Sequence, residues 1–242
     1  MVIIASLNVH EWSNRSGDCT IDEIIKLIIN SNIDIIGIQE TNKQSLIKVA
    51  KNLHNFNYIY NRKTAIFSKY PIDRNMSQKT TLERYISGIV TLQDNKTVHI
   101  ICVHLDYKYE PTRIKQMETI MKNKNIDNKS LIVLGDFNAL TKNDYSKDEW
   151  CQISSIRKSN KWEQPLDELT NKITSQNDWK LFDSRYIANN ISGPLHTCRF
   201  DTRIDYIYLN KKLINKWNIN KMKHIVAMPS ATDHNLVLIE LK

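Results

Sequence analysis

At 242 residues, 41% hydrophobic and 25% charged, the chain is long enough to bury a sizeable core, and one domain over 1–242 is the simplest count. This profile excludes a disordered chain, and no stretch reaches the length of a membrane span. A formal net charge of +8 favours an anionic partner such as nucleic acid, although a solvated Lys-rich surface accounts for it equally well.

Residues 2–7 read as a first strand; no basic segment precedes this short apolar run, so a signal peptide is not expected. Thr20-Ile21-Asp22-Glu23 has the form of a capping box, and Ile21, Ile24, Ile25, Ile28 and Ile29 follow at helical spacing. Residues 33–38 form a continuous apolar strand, buried on both sides. A second helix is predicted over 44–53. Short paired strands follow over 58–60 and 64–68, the second broken by Lys69-Tyr70-Pro71. Strands over 85–92 and 97–104 flank Gln93-Asp94-Asn95-Lys96 as a hairpin. Pro111-Thr112 opens a helix with Ile114, Met117, Ile120 and Met121 on one face, and 131–135 is a strand. The polar, Trp-bearing region 141–184 reads as loops with short helices. Strands over 204–209, 223–227 and 236–241 close the chain. No internal repeat or Gly/Pro-rich linker divides it. Antiparallel strand pairs with helices dispersed among them predict two sheets face to face with helices outside. Cys19, Cys102, Cys151 and Cys198 are widely spaced and form no Cys-x-x-Cys pair, which fits reduced thiols in an intracellular protein better than zinc or a disulfide framework.

The segment Gly135-Asp136-Phe137-Asn138, entered by Leu131-Ile132-Val133-Leu134, puts an aspartate and an asparagine two residues apart at a strand end, on one side of the sheet. Alone it reads as a turn. Similar polar groups recur at other strand ends: Asn8 with His10, Gln39-Glu40, His104 with Asp106, Asp205, and Asp233-His234. Each has a plainer explanation, such as a turn at Asn8, a helix cap at Glu40 or an Arg203 partner for Asp205. Together they are the residue types that phosphodiester hydrolysis requires. A hard cation such as Mg²⁺ needs carboxylates, for which Glu40 and then Asp233 are the candidates. The attacking water needs a base or orienting carboxylate, for which Asp136 is the choice. The pentavalent phosphorus needs fixed donors, which Asn8, Asn138 and a histidine supply. A histidine in that role needs a carboxylate on its other nitrogen. Asp205 can serve His234, and Glu83 can serve His104.

Ser6-Leu7-Asn8, Ile38-Gln39-Glu40, Val103-His104-Leu105-Asp106, Gly135-Asp136-Phe137-Asn138, Arg203-Ile204-Asp205-Tyr206-Ile207 and Thr232-Asp233-His234-Asn235 stand in an order and spacing that resemble the endonuclease/exonuclease/phosphatase superfamily. The resemblance runs from Asn8 to His234. It implies a four-layer α/β/β/α sandwich of two mixed sheets, and Mg²⁺-dependent cleavage of phosphoester bonds with Mn²⁺ able to substitute. It also implies a site of Asn8, Glu40, His104, Asp136, Asn138, Asp205, Asp233 and His234. Arg113 and Gln116 match a looser part of the pattern.

His104-Leu105-Asp106 resembles the deoxyribonuclease, tyrosyl-DNA phosphodiesterase and phosphatase branches more than the abasic-site endonucleases, and Glu83-Arg84-Tyr85 is similar to a histidine-orienting segment of pancreatic-type deoxyribonucleases. Three functions follow. A metal-dependent nuclease or DNA-end phosphodiesterase acting on nucleic acid comes first. A phosphatase or phosphodiesterase on a small molecule or lipid headgroup comes second. A non-catalytic nucleic-acid-binding module comes third, and it predicts the loss of site residues that are all present. Lys211, Lys212, Lys216, Lys221 and Lys223 around Trp217 offer a phosphate track or a solvated face. Trp12, just after Asn8, is either a base-stacking aromatic near the site or a core anchor.

Overall fold

A computed structural model describes residues 1–73, 84–122, 129–218 and 221–242. Glu83, and with it the proposed partnership with His104, lies outside the described residues. The strands are β1 (Val2–Asn8), β2 (Ile35–Gln39), β3 (Asn57–Asn61), β4 (Thr64–Ser68), β5 (Ile72–Asp73), β6 (Tyr85–Thr91), β7 (Thr97–His104), β8 (Leu131–Asp136), β9 (Leu181–Asp183), β10 (Asn190–Ser192), β11 (Asp205–Asn210), β12 (Lys223–Ala227) and β13 (Leu236–Leu241). The helices are α1 (Ile21–Asn30), α2 (Lys43–Asn52), α3 (Glu110–Met121), α4 (Lys147–Ser159), α5 (Glu168–Thr174), α6 (Ser184–Ile187) and α7 (Lys211–Lys216). Seven strands form one sheet in the order β10-β12-β13-β1-β2-β4-β3, and six form the other in the order β5-β6-β7-β8-β11-β9. Both are mixed: β1 and β2 run parallel, as do β7 and β8, while the remaining pairs except β10 with β12 are antiparallel.

The period of two in the strands sorts side chains into layers. On β1, Val2 and Ile4 face the opposing sheet, where they join Ile100, Cys102, Ile132, Leu134 and Ile207 in the inter-sheet core. Ile3, Ala5 and Leu7 face the other way, against Ile24, Ile28, Leu46 and Val49 of α1 and α2. On the second sheet, Ile101 and Val133 pack outward against Met117, Ile120, Leu169 and Ile173 of α3 and α5. The expected four layers, helix on sheet on sheet on helix, are these three apolar contacts in sequence. Two glycines permit the close approaches. A Cβ on Gly37 would run into Leu134 and Cys102 of the facing sheet, and one on Gly135, whose φ is 140°, would run into the backbone of Val103.

Three local expectations are corrected. Thr20 stands at the N-cap of α1 but makes no capping bond; its hydroxyl donates to the Ala231 carbonyl at 2.6 Å. Region 141–184 holds a helix of 13 residues, α4, closed by a true capping box between Ser146 and Glu149. Asp205 does not pair with Arg203. The Arg203 guanidinium is held by Asp144 at 2.7 Å and Asp183 at 2.5 Å.

Candidate active site

One end of the sandwich gathers the polar clusters because strand direction sends them there. The parallel strands β1, β2, β7 and β8 all finish at this end, and the antiparallel β11 and β13 begin there. Asn8 pairs in register with Gln39, so Glu40 is the first residue past β2. In the second sheet His104 aligns with Asp136, and Asp136 with Asp205, giving three candidate side chains in one row across three strands. Their parity is that of the inter-sheet core: Asn8 continues Val2 and Ile4, and Asp136 continues Ile132 and Leu134. The apolar seam between the sheets therefore ends in a polar floor.

Asn8 ties that floor together. Its Nδ2 donates to Glu40 Oε1 and to Asp136 Oδ2, both at 3.0 Å, while its Oδ1 accepts from the His10 amide at 3.0 Å. His104 Nε2 lies 3.5 Å from Glu40 Oε1 and 3.8 Å from Asp136 Oδ2. His234 Nδ1 lies 2.9 Å from Asp205 Oδ2, and Nε2 on the other side of the ring lies 3.9 Å from Asp233 Oδ1 where the residue lines the cavity. Asn138 reaches the same cavity as Asp136, although not by continuing the strand. Its backbone turns to φ 50°, its amide donates to Asp136 Oδ1 at 2.8 Å, and its Nδ2 donates to the Leu105 carbonyl at 3.2 Å. Glu40 and His10 also have positive φ, 54° and 43°, an uncommon backbone for such side chains.

Asp233 meets Glu40 through His10. The His10 Nδ1 atom is 3.7 Å from Glu40 Oε2 and 3.5 Å from Asp233 Oδ1. Arg199 Nε stands 3.5 Å from the other Asp233 oxygen. His10 and Arg199 thus belong to the site on geometry. His10 shares a sequence cluster with Asn8, but no sequence pattern marks Arg199.

The electrostatics separate the carboxylates. Burial, and then the Asp205 carboxylate, push Asp136 up to about 6 against the pull of His234, His104 and the Asn8 hydrogen bond. Burial also acts to raise Glu40, but the Asn8 hydrogen bond and the imidazoles of His104, His234 and His10 outweigh it, and its carboxyl ends below the usual range. Burial disfavours charge on His234, yet Asp205, by attraction and by hydrogen bond, holds the imidazolium well above its ordinary value. Neighbouring acids driven apart in this way can take different roles at one pH.

A divalent cation fits the donor set. Glu40, His104 and Asp136 offer ligand atoms within 4.8 Å of one another, as do Asp136, Asp205 and His234. Among the described residues, Asp205 Oδ1 and Asp233 Oδ1 are buried without a hydrogen-bond partner; His10 Nδ1 and His234 Nε2 stand 3.5 and 3.9 Å from Asp233 Oδ1 without hydrogen-bonding it, which leaves both oxygens for a cation to satisfy. Carboxylate oxygens are the ligands that hard cations select.

The floor opens into a cavity of about 990 Å³. Lys63, Arg84, Lys108, Arg157, Lys161 and Arg199 stand on its walls. Arg113 and Gln116 do not line it. Arg113 is buried between Glu110 and Glu163 and donates to the Asp106 carbonyl, and Gln116 accepts from the Asp106 amide, so both brace the loop after His104. Trp12 is a core anchor, its indole donating to Thr41 Oγ1 at 3.0 Å. The basic C-terminal stretch starts at the far end of β11, roughly 20 Å from Asp205 for a six-residue strand.

Comparison with known proteins shows the family to which this fold belongs. The Endonuclease/Exonuclease/phosphatase family model matches residues 6–234. The chain belongs to that family and is a hydrolase of phosphoester bonds, a class whose members typically use a divalent metal. No curated protein matches it. Among solved structures, a functionally unknown conserved protein from Enterococcus faecalis is similar at 17% identity and a TM-score of 0.72, covering 100% of this chain and 99% of that one. A mannosyl-6-phosphatase from Bacteroides thetaiotaomicron shares 17% identity over 100% of both chains, with a TM-score of 0.67. TDP2 from Caenorhabditis elegans shares 17% identity at a TM-score of 0.66, over 99% of this chain and 74% of that one. At such identities the likeness is one of fold.

Proposed function

We propose that the protein is a metal-dependent phosphodiesterase of nucleic acid, acting as a nuclease or on DNA ends, and that it works inside the cell. The observation that carries the reading is the pair of carboxylates sharing the Asn8 amide, one held ionised and one poised near 6, beside an imidazolium. Glu40, with Asp136 and Asp233 nearby, would hold Mg²⁺ or Mn²⁺, which neutralises phosphate charge and eases departure of the leaving oxygen when bound. Asp136 orients the attacking water and accepts its proton. His234, charged and fixed by Asp205, donates from Nε2 to the phosphoryl oxygens as negative charge builds on them. The Asn138 amide, its other N–H spent on Leu105, and the His104 ring complete the set of donors. Cationic walls and a positive net charge support a polyanionic substrate. Among the described residues no helix is long and apolar enough to cross a membrane, and the four cysteines are free.

A second reading, hydrolysis of a small-molecule phosphoester, is favoured by the structural likeness to the mannosyl-6-phosphatase. The two separate in one assay. Purified protein is offered end-labelled oligonucleotides, some with 5′-tyrosyl adducts, beside sugar and inositol phosphates, with Mg²⁺, Mn²⁺ or excess chelator. Strand cleavage that needs the metal is expected. Phosphate release from the small esters with intact strands would overturn the nucleic-acid reading, and cleavage persisting in chelator would overturn the metal.

A further inference from the structure

Among the described residues, the large aromatic side chains that stand exposed are Tyr60, Tyr107, Tyr109, Trp162, Tyr186 and Phe200. Four of these six (Tyr107, Tyr109, Trp162 and Phe200) line the one cavity above the catalytic floor. The folding of the core, which buries Trp12, Phe67 and Phe137 completely, does not account for four exposed rings around one cavity. Trp162 and Phe200 form a unit. Their ring centroids are 5.0 Å apart at an interplanar angle of 72°, and the Arg199 guanidinium lies 4.8 Å over the Phe200 ring. The two rings are 41% and 49% exposed and come from separate loops, one after α4 and one just before β11.

Beside these rings the cations outnumber the carboxylates. Arg157, Lys161 and Arg199 line the same wall with the rings. Its carboxylate, Glu163, is turned inward, accepting from the Glu110 amide at 2.8 Å and from Arg113 Nη2 at 2.6 Å. Among the described residues Lys161 has no ion-pair partner, and it occupies a left-handed backbone position, φ 57°, just past the end of α4, where glycine is the usual residue. Half-exposed rings with cations beside them suit a chain of planar bases joined by phosphates. A sugar ring also stacks on aromatic side chains, but its hydroxyls call for carboxylate and amide partners, and the Glu163 carboxylate is turned away from the cavity.

We infer that Trp162 and Phe200, with Arg199 and Lys161, form a stacking subsite that holds an unpaired base of a single-stranded nucleic acid beside the scissile phosphate. The inference rests on the nucleic-acid reading of the site, and deepens it by naming the part of the substrate that is recognised.

The test is binding, so that it does not depend on turnover. Fluorescence anisotropy in excess chelator gives the Kd of a labelled single strand and of the same strand carrying abasic spacers, for the wild type, Trp162→Ala and Phe200→Ala. Both rings are exposed, so both variants should keep the wild-type melting temperature, which is measured alongside. The expected result is roughly tenfold weaker binding of the ordinary strand by each variant, and equally weak binding of the spacer strand by all three proteins. Equal affinity of the wild type for the two strands, or an unchanged Kd for the ordinary strand in both variants, overturns the subsite. Adding Mg²⁺ to the same samples tests the other reading: tight, base-dependent binding without cleavage would sink the nuclease and leave the subsite standing.

Discussion

His234 Nδ1 and Asp205 Oδ2 lie 2.9 Å apart, and both side chains are almost wholly buried. An imidazole so placed keeps its proton because of the carboxylate, against the pull of burial. In the proposed mechanism Asp205 is therefore a positioning residue, acting on the phosphate only through the ring. Asp205→Asn should lower kcat/KM by about 10²- to 10³-fold, the scale of a lost preorganised donor. The pH profile distinguishes this from a merely structural defect. His234 must be charged to act, and its raised value keeps it charged through neutrality. Without Asp205 that value falls, and the alkaline loss of activity should move to lower pH.

Asp136→Asn should separate stability from chemistry. The carboxyl is raised to about 6, above its unfolded value near 3.8, so the folded protein binds that proton more tightly than the unfolded chain. The ionised side chain consequently weakens the fold at neutral pH, a penalty that fades as pH falls through 6 and is gone below about 4. In chelator at pH 7, the variant should unfold at a higher urea concentration than the wild type, while its turnover with Mg²⁺ falls by several orders of magnitude. A lower urea midpoint would refute the electrostatic account.

Arg203 is clamped between Asp144 and Asp183, with Tyr206 stacked 4.3 Å beneath it. Arg203→Met leaves two buried carboxylates without a counter-charge, and should cost about 3–5 kcal/mol in urea unfolding. The double change with Asp144→Asn should recover part of that loss. If the single variant unfolds like the wild type, the clamp contributes nothing to the fold.

His99 and His224 are buried away from the site and lowered to about 4, chiefly by burial. Both stay neutral in the folded chain at pH 5, whereas the unfolded chain, with values near 6.5, takes up the protons. Stability should therefore fall as pH drops from 6.5 toward 4, by roughly 2 kcal/mol per histidine between pH 7 and pH 5. His99→Leu should remove its share of that slope; urea midpoints at the two pH values, compared between variant and wild type, measure it.

The sheet strands could be read because each carries its burial in its own sequence. Leu131-Ile132-Val133-Leu134 lies between two apolar layers, and a run apolar on both sides leaves little else for it to be. Helix α4 escaped the same reading for the opposite reason: none of its side chains is buried, so it has no stripe for periodicity to show. Its Ser146…Glu149 box was in plain view, while the Thr20…Glu23 box, identical in form, gave its hydroxyl to Ala231 instead. A local motif says which bond is available, and tertiary packing decides which is made. The floor residues were legible because each sits at a strand end. Trp162 and Phe200 were not, since only the meeting of two distant loops makes them neighbours.

Asn8 belongs to one sheet and Asp136 to the other, and a single amide joins them. The candidate site is thus a gauge of how the two halves of the sandwich are aligned. A slip of a fraction of an ångström between them, such as a methyl group at Gly37 would force against Leu134 and Cys102, lengthens that one bond before it opens any void. Substitutions deep in the seam, with no contact to substrate, should reveal themselves first as slow enzyme and only later as unstable protein.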